Sequence, residues 1–342
     1  MSSLKVINNL TSANLELISN TLKSGDLVAI PTETVYGLAA NSLDESAVQK
    51  IFKVKGRPAD NPLIIHISNI QMIQEFAVDI PKNLFKLAEN FWPGPLTVIL
   101  PKSKNVPFIT TGGLNTVAIR MPNHPMALKI IEHSQLGLAA PSANLSGKPS
   151  PTTAEHCIND IGNKIKIIVD GGPCSYGVES TVISLIEDVP TILRPGVITK
   201  EDIEKVIGET KLSKYVLQKL SVDSTVISPG VKYKHYAPHA EIILIKSDIN
   251  KFANYVNNLT DFSVAALVFD DEQKFITKPC FTYGLKNNYL SQTKNLFNVL
   301  REIDKTNFKT VYTRCPNSDG ISLAVYNRLI RAAGFKVIDL DE

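Results

Sequence analysis

At 342 residues the chain is longer than the size at which one hydrophobic core usually stops growing, so two domains of unequal size are expected. Hydrophobic residues at 44% and charged residues at 20% exclude a largely disordered chain. A net charge of +3, from 36 Lys and Arg against 33 Asp and Glu, excludes a surface dedicated to nucleic acid or membrane and makes any anion site a local one.

The chain opens without the basic start and apolar run of a secretory signal, and no stretch approaches the ~20 apolar residues of a membrane span, so a cytoplasmic location is expected. Ser12–Lys23 has helical spacing and Leu27–Ile30 reads as a strand. That strand runs into Pro31-Thr32-Glu33-Thr34-Val35-Tyr36-Gly37, which reads either as a strand-to-loop cap or as a loop that binds a small polar ligand. Asp44–Lys55 is the next helix, with acids at its start. Lys50, Lys53, Lys55 and Arg57 follow one another with no acid among them. On a helical wheel Lys55 falls on the apolar side with Ala47, Val48, Ile51 and Phe52, while Gly56 and Pro58 stop the helix. An inward lysine needs a partner, so Lys55 and Arg57 are expected to turn toward a cleft and clamp phosphates.

Strands are expected at Leu63–Ile67, Leu96–Leu100, Thr116–Ile119, Gly137–Ala140, Ile165–Val169, Ser180–Leu185 and Thr191–Leu193, and helices at Asn83–Phe91, His124–His133 and Lys200–Ile207. Arg120, Glu179-Ser180-Thr181 and Arg194-Pro195-Gly196 put charge and hydroxyls at strand ends. The loop Pro141-Ser142-Ala143-Asn144-Leu145-Ser146-Gly147-Lys148-Pro149-Ser150 is not a Walker A loop, because G-x-x-x-x-G-K-[ST] is absent; it reads as a backbone nest for a triphosphate or as ordinary turn chemistry. Residues 209–240 break regularity and read as an inter-domain linker, whose Lys- and Tyr-rich stretch at 228–238 suits a lid. His235 and His239 have ligand spacing, but Pro238 forbids a helix interior there, and no metal site is expected. Beyond 241, alternating strand and helix signals suggest a small Rossmann-like domain with a parallel sheet and no G-x-G-x-x-G. Cys157, Cys174, Cys280 and Cys315 form no C-x-x-C pair and read as small buried hydrophobes.

Seven ordered blocks resemble the YrdC-type threonylcarbamoyl-AMP synthases: PTETVYGL at 31–38, KVKGRPADNPL at 53–63, PGPLTVIL at 93–100, TVAIRMPNHP at 116–125, PSANLSGKPSPT at 141–152, DGGPCSYGVESTV at 170–182 and LRPG at 193–196. SPGVKYKHYAP at 228–238 and the C-terminal region are similar to the longer branch of that family. The resemblance implies an α/β fold. A twisted open mixed-sheet catalytic domain at 1–208 is followed by a linker or lid at 209–240 and a smaller Rossmann-like α/β domain at 241–342. It also implies a reaction in which L-threonine, bicarbonate and ATP with Mg²⁺ give L-threonylcarbamoyl-AMP and pyrophosphate. The product would serve threonylcarbamoyladenosine formation in tRNA through a downstream transferase complex, with at most weak tRNA contact.

By the same resemblance Thr34, His66, Arg120, Ala140 and Ser180 line the threonine pocket. Arg57, Asn61, Thr116, Ser142, Ser150, Arg194 and Tyr233 contact ATP, with Lys55 and Arg57 in the catalytic role beside the phosphates. The competing reading is a module that binds double-stranded RNA or tRNA without chemistry, which would make affinity fall steeply with salt and ignore ATP.

Overall fold

A computed structural model describes residues 4–218 and 236–341. The chain forms two compact units, one from its N-terminal two thirds and one from its C-terminal third.

In the first unit the strands are β1 (Lys5–Ile7), β2 (Val28–Ile30), β3 (Gly37–Asn41), β4 (Ile64–His66), β5 (Leu96–Pro101), β6 (Thr116–Arg120), β7 (Leu138–Ala139), β8 (Ile167–Val169), β9 (Thr181–Ser184), β10 (Thr191–Arg194) and β11 (Lys211–Leu212). The helices are α1 (Ser12–Lys23), α2 (Glu45–Lys55), α3 (Ile73–Phe76), α4 (Lys82–Phe91), α5 (Pro125–Ser134), α6 (Ala154–Ile161) and α7 (Lys200–Ile207). The strands join one open mixed sheet in the order β1-β8-β2-β3-β7-β4-β6-β5-β9-β10-β11. Parallel pairs such as β4 with β6 alternate with antiparallel ones such as β5 with β6. Regular structure therefore continues past Gly208, because β11 pairs parallel with β10.

Local chemistry explains the helix ends. Asp44 caps α2 by accepting from the amides of Ser46 and Ala47, and Gly56 ends it in the left-handed region at φ 62°. Thr199 and Asp202 form a reciprocal capping box on α7. Thr153 caps α6, a helix the sequence reading did not anticipate.

Period-2 alternation sorts the strand residues onto two faces. Ile65, Val117, Ile119, Val98 and Ile183 pack with Leu84, Leu87 and Ile203 of α4 and α7. The other face of the same strands holds Ile64, Ile99, Ala118, Val182 and Leu193, a buried cluster drawn entirely from β4, β5, β6, β9 and β10. No helix side chain belongs to it. Each large aliphatic side chain buried this way contributes roughly 1.5–3 kcal/mol, so this patch is both a stabilising floor and a surface left open to loops.

The second unit contains β12 (Glu241–Lys246), α8 (Ile249–Asn257), β13 (Val264–Val268), β14 (Cys280–Thr282), α9 (Tyr289–Asp304), β15 (Thr310–Arg314), α10 (Ser322–Ala332) and β16 (Val337–Asp339). Its sheet runs β14-β13-β15-β12-β16, and every pairing is parallel. Both the mixed sheet of the first unit and the Rossmann-like parallel sheet of the second agree with the fold class expected from the sequence. Among the described residues no helix is long and apolar enough to cross a membrane.

Candidate active site

The helix-free face of β4, β6, β5, β9 and β10 sets the geometry of the site. On β6, Thr116, Ala118 and Arg120 share that face, so an apolar floor residue is flanked by a hydroxyl at one end and a cation at the other. The pairing His66↔Arg120 puts the imidazole of β4 beside the guanidinium. The pairing Val98↔Ile119 brings the start of β5, with Thr97, to the same edge. Leu96↔Thr181 then brings Ser180 there, and Arg194 closes the edge from β10. Ser180 meets Thr97 hydroxyl to hydroxyl at 2.8 Å, and Arg194 donates to the Ser180 carbonyl from Nε and to its hydroxyl from Nη2, both at 3.1 Å.

Arg120 is 3% exposed and anchored from three sides. Its Nε donates to the Gly94 carbonyl at 3.2 Å and its Nη1 to the Thr34 hydroxyl at 2.9 Å. Its Nη2 lies 2.7 Å from Glu33 Oε2, but out of hydrogen-bond alignment, so both Glu33 oxygens keep lone pairs without a donor among the described residues. That contact is Coulombic rather than a bidentate fork. Gly94 is required because a Cβ there would lie 2.3 Å from the Phe91 carbonyl oxygen; Gly196 is likewise pressed to 2.4 Å from the Thr181 amide.

The segment 31–37 caps the strand end, the first of the two readings the sequence left open. Thr32 Oγ1 accepts from the amides of Thr34 and Val35 and donates to the Val35 carbonyl, and Tyr36 donates to the Gly172 carbonyl at 2.7 Å. These bonds build the turn. Glu33 and Thr34 are thereby left facing Arg120.

His66 is 3% exposed, and burial together with the neighbouring Arg120 charge lowers its pKa to about 3. It is neutral at physiological pH. Ala140, 6% exposed, donates its amide to the Ile64 carbonyl at 3.1 Å, and its methyl group lies where a Cβ on Gly37 would crowd it at 3.1 Å.

The other end of β6 carries a second group. Arg57 donates from Nε to the Asn61 carbonyl at 3.3 Å and from Nη2 to the Pro62 carbonyl at 3.1 Å. Pro62 and Thr116 each lie two residues upstream of the Ile64↔Ala118 pair, so the 57–62 turn stands at the Thr116 end of the sheet. Asn61 is 1% exposed, and its side-chain oxygen meets no donor among the described residues.

Lys55 is 3% exposed, on the buried side of α2 as the helical wheel requires. Its ammonium is surrounded by acceptors: the carbonyls of Ser142 and of Asn144 (2.7 Å) and the Asn144 side-chain oxygen (3.4 Å). Burial, and next the Arg57 charge, push its pKa well below the ordinary lysine value. Lys55 therefore holds the 142–144 loop from beneath. Ser142 is half-buried, and Ser150, 1% exposed, donates to Glu179 at 2.6 Å.

Of the expected residues, Thr34, His66, Arg120, Ser180 and Arg194 fall along one edge, Ala140 lies level with Ile64 and Ala118 midway along β6, and Arg57, Asn61 and Thr116 stand at the opposite end, with Ser142 tied to Lys55. Arg194 was grouped with the nucleotide contacts, yet it bonds directly to Ser180. Tyr233 and most of the 228–238 lid lie outside the described residues. Tyr236 is described: it is 4% exposed and packs on Phe297 with ring centroids 5.0 Å apart, within the second unit. The sequence reading placed Glu33 in the 31–37 loop and Glu179 among the strand-end charges without giving either a partner, and it did not name Thr97; each touches an expected site residue. Their signal was present only as polar residues beside strand ends.

The family model described as "Telomere recombination", of the Sua5, YciO and YrdC group, matches residues 20–196. The model described as "Threonylcarbamoyl-AMP synthase, C-terminal domain" matches residues 198–334. The chain belongs to the Sua5/YrdC family of threonylcarbamoyl-AMP synthases. It is 47% identical over 330 residues to the threonylcarbamoyl-AMP synthase of Pyrococcus abyssi, covering 95% of both chains. To the Bacillus subtilis threonylcarbamoyl-AMP synthase it is 43% identical over 324 residues, covering 93% of this chain and 92% of the relative. The solved structure of P. abyssi Sua5 complexed with L-threonine superimposes with a TM-score of 0.91 at 44% identity, over 98% of this chain and 99% of that one. This member of the Sua5/YrdC family thus matches its relatives through both units.

Proposed function

We propose that this chain joins L-threonine, bicarbonate and Mg-ATP into L-threonylcarbamoyl-AMP and pyrophosphate. The reading rests on one observation above the others. A single face of the sheet carries buried Arg120 and Arg194 with hydroxyls at one edge and Arg57, Asn61 and Thr116 at the other, a separation of about 13 Å over the four-residue rise from Thr116 to Arg120. Membership of the Sua5/YrdC family supports it.

The chemistry balances without a protein nucleophile. The threonine amine and bicarbonate give a carbamate and water; a carbamate oxygen then forms a bond to the α-phosphorus of ATP while the bond to pyrophosphate breaks. The work left to the protein is to position two anionic partners and neutralise the charge between them. Arg120 faces the carboxylate end of threonine, with the Thr34 and Ser180 hydroxyls and neutral His66 fixing orientation and the small Ala140 side chain leaving room. Arg57, Asn61, Thr116, Ser142 and Ser150 hold ATP, and Arg194 reaches it from the Ser180 edge, between the two substrates; Tyr233 is assigned to the same ligand. Arg57 places its charge directly at the phosphates, and Lys55 supports them through the 142–144 loop. Each charge-assisted contact contributes about 1.5–3 kcal/mol.

Among the described residues no three His, Cys, Asp or Glu side chains gather as metal ligands, so Mg²⁺ would enter with the triphosphate, as it commonly does. The adenylate passes to a downstream transferase acting on tRNA in the cytoplasm, with any tRNA contact by this chain weak. The test is pyrophosphate release by the purified protein. Release that requires both L-threonine and bicarbonate supports the reaction. ATP-independent RNA binding that weakens steeply with salt, without pyrophosphate release, would replace it with the RNA-binding reading.

A further inference from the structure

The C-terminal unit has a cavity of about 780 Å³ at the carboxyl ends of its parallel strands. Its position follows from topology. In the order β14-β13-β15-β12-β16, the neighbours β13 and β15 lead to next strands on opposite sides, toward β14 and β16 respectively. Adjacent parallel strands that diverge in this way leave a crevice at their carboxyl ends, where ligands of open α/β sheets bind. Phe269, just after β13, and Arg314, at the end of β15, both line the cavity.

Three helices begin around this crevice. Asp248 caps α8 through the amides of Asn250 and Lys251, and Asn288 caps α9 through that of Ser291. The N-terminus of α10, eleven residues long, has no side-chain cap. The amides of Leu323 and Ala324 are already met by the carbonyls of Asp319 and Ile321, so the partial positive charge of this helix start is offered chiefly by the amide of Ser322.

Two buried side chains point to a ligand independently of that helix end. Ser322, the first residue of α10, lines the cavity at 1% exposure, and its hydroxyl has no hydrogen-bond partner among the described residues. Gln292, 0% exposed, also lines it; its Nε2 donates to the carbonyls of Leu285 (2.9 Å) and Lys286 (2.8 Å), while Oε1 is left without a donor. A free hydroxyl and a free amide oxygen in a polar crevice are expensive to bury unless something meets them.

The floor is rigid. Arg314 forks onto buried Glu272 at 2.7 and 3.0 Å and donates to the Ser247 carbonyl. Most rim charges are also matched: Lys246 pairs with Asp339 at 2.8 Å, and Asp341 with Lys251 at 2.8 Å. Asp319 stands near the start of α10, while half-exposed Lys286, paired with Glu272 at 3.5 Å, supplies a cation at the mouth. Phe269 and Tyr289 give the cavity aromatic surface.

We propose that this crevice binds a phosphate-bearing small molecule of nucleotide size. The phosphate sits against the uncapped start of α10, Ser322 and Lys286, the usual anion site of such a helix. The body of the ligand lies on the aromatic side and offers an N–H or O–H to Gln292 Oε1. Volume favours a nucleotide over a bare ion, since pockets for small organic ligands run from about 300 to 1,000 Å³.

Amide chemical shifts of the full-length ¹⁵N-labelled protein, titrated with AMP, inorganic phosphate and acetate, test this at the residues concerned. AMP should shift the amides of 317–322 saturably, and phosphate should shift the same amides at roughly tenfold or more higher concentration. Ser322→Asp, which places a carboxylate where the phosphate would lie, and Lys286→Ala at the exposed rim should each weaken AMP at these amides by about fivefold or more, Lys286→Ala with the melting temperature of the protein retained. The proposal is overturned by an absence of saturable shifts at 317–322, by acetate acting as strongly as phosphate, or by an undiminished AMP response in both variants. Shifts arising in the first unit belong to the synthase reaction and do not enter the comparison, so either reading can fail alone.

Discussion

Arg120 donates from Nη1 to the hydroxyl of Thr34 at 2.9 Å while its Nη2 stands 2.7 Å from the Glu33 carboxylate. Both partners come from the short loop between β2 and β3, so one turn fixes the position and the charge balance of the site's most buried arginine. Arg120→Ala would strand Glu33 as a buried, unpaired carboxylate. A loss of about 3–5 kcal/mol in unfolding free energy is expected, read by denaturant titration. Thr34→Val removes one bond and keeps the ion pair; it should raise the KM for L-threonine with little change in stability.

Lys55 predicts a different phenotype from Arg57, the arginine proposed to meet phosphate directly. Lys55→Met keeps the length and apolar stem but leaves the Ser142 and Asn144 carbonyls without their donor. An unsatisfied buried acceptor costs roughly 1–3 kcal/mol, here concentrated in one loop. Faster hydrogen exchange confined to 142–146, together with a higher KM for ATP, is the expected result.

His66 makes stability depend on pH below neutrality. Its folded pKa is lowered from 6.5 to about 3 by burial and by Arg120, so as pH falls below 6.5 the unfolded chain takes up a proton that the folded chain refuses. Stability from this group is complete above pH 6.5 and declines as pH drops toward 3, by at most about 1.4 kcal/mol per pH unit. Urea titrations between pH 7 and 5, above the carboxylate range, should show a shallower decline in His66→Gln than in the wild type.

Much of the fold is legible in local chemistry, and the rest depends on pairings between distant segments. The spacing that predicts a helix at Ser12–Lys23 reflects Leu15, Ile18 and Leu22 on one buried face, and the structure ends that helix at the same residues. β3 was missed because Gly-Leu-Ala-Ala-Asn has no β-branched residue; β2 and β7 on either side make it a strand. Lys55 could be read as an inward lysine from α2 alone. Its partners could not, since Ser142 and Asn144 arrive from the far side of the first unit's sequence. The nearness of Thr97, Ser180 and Arg194 likewise follows from the β5–β9–β10 register, which no local pattern encodes.

Steady-state KM values for ATP and L-threonine in Arg57→Ala and Arg120→Lys test most directly whether the two ends of β6 hold different substrates. Arg57→Ala should lower kcat/KM for ATP by about ten- to a hundredfold and leave the KM for L-threonine within about twofold. Arg120→Lys, which keeps the charge and loses the fork, should raise the KM for L-threonine by about tenfold and spare that for ATP. Equal changes in both constants in both variants, or no change in either, would contradict the division.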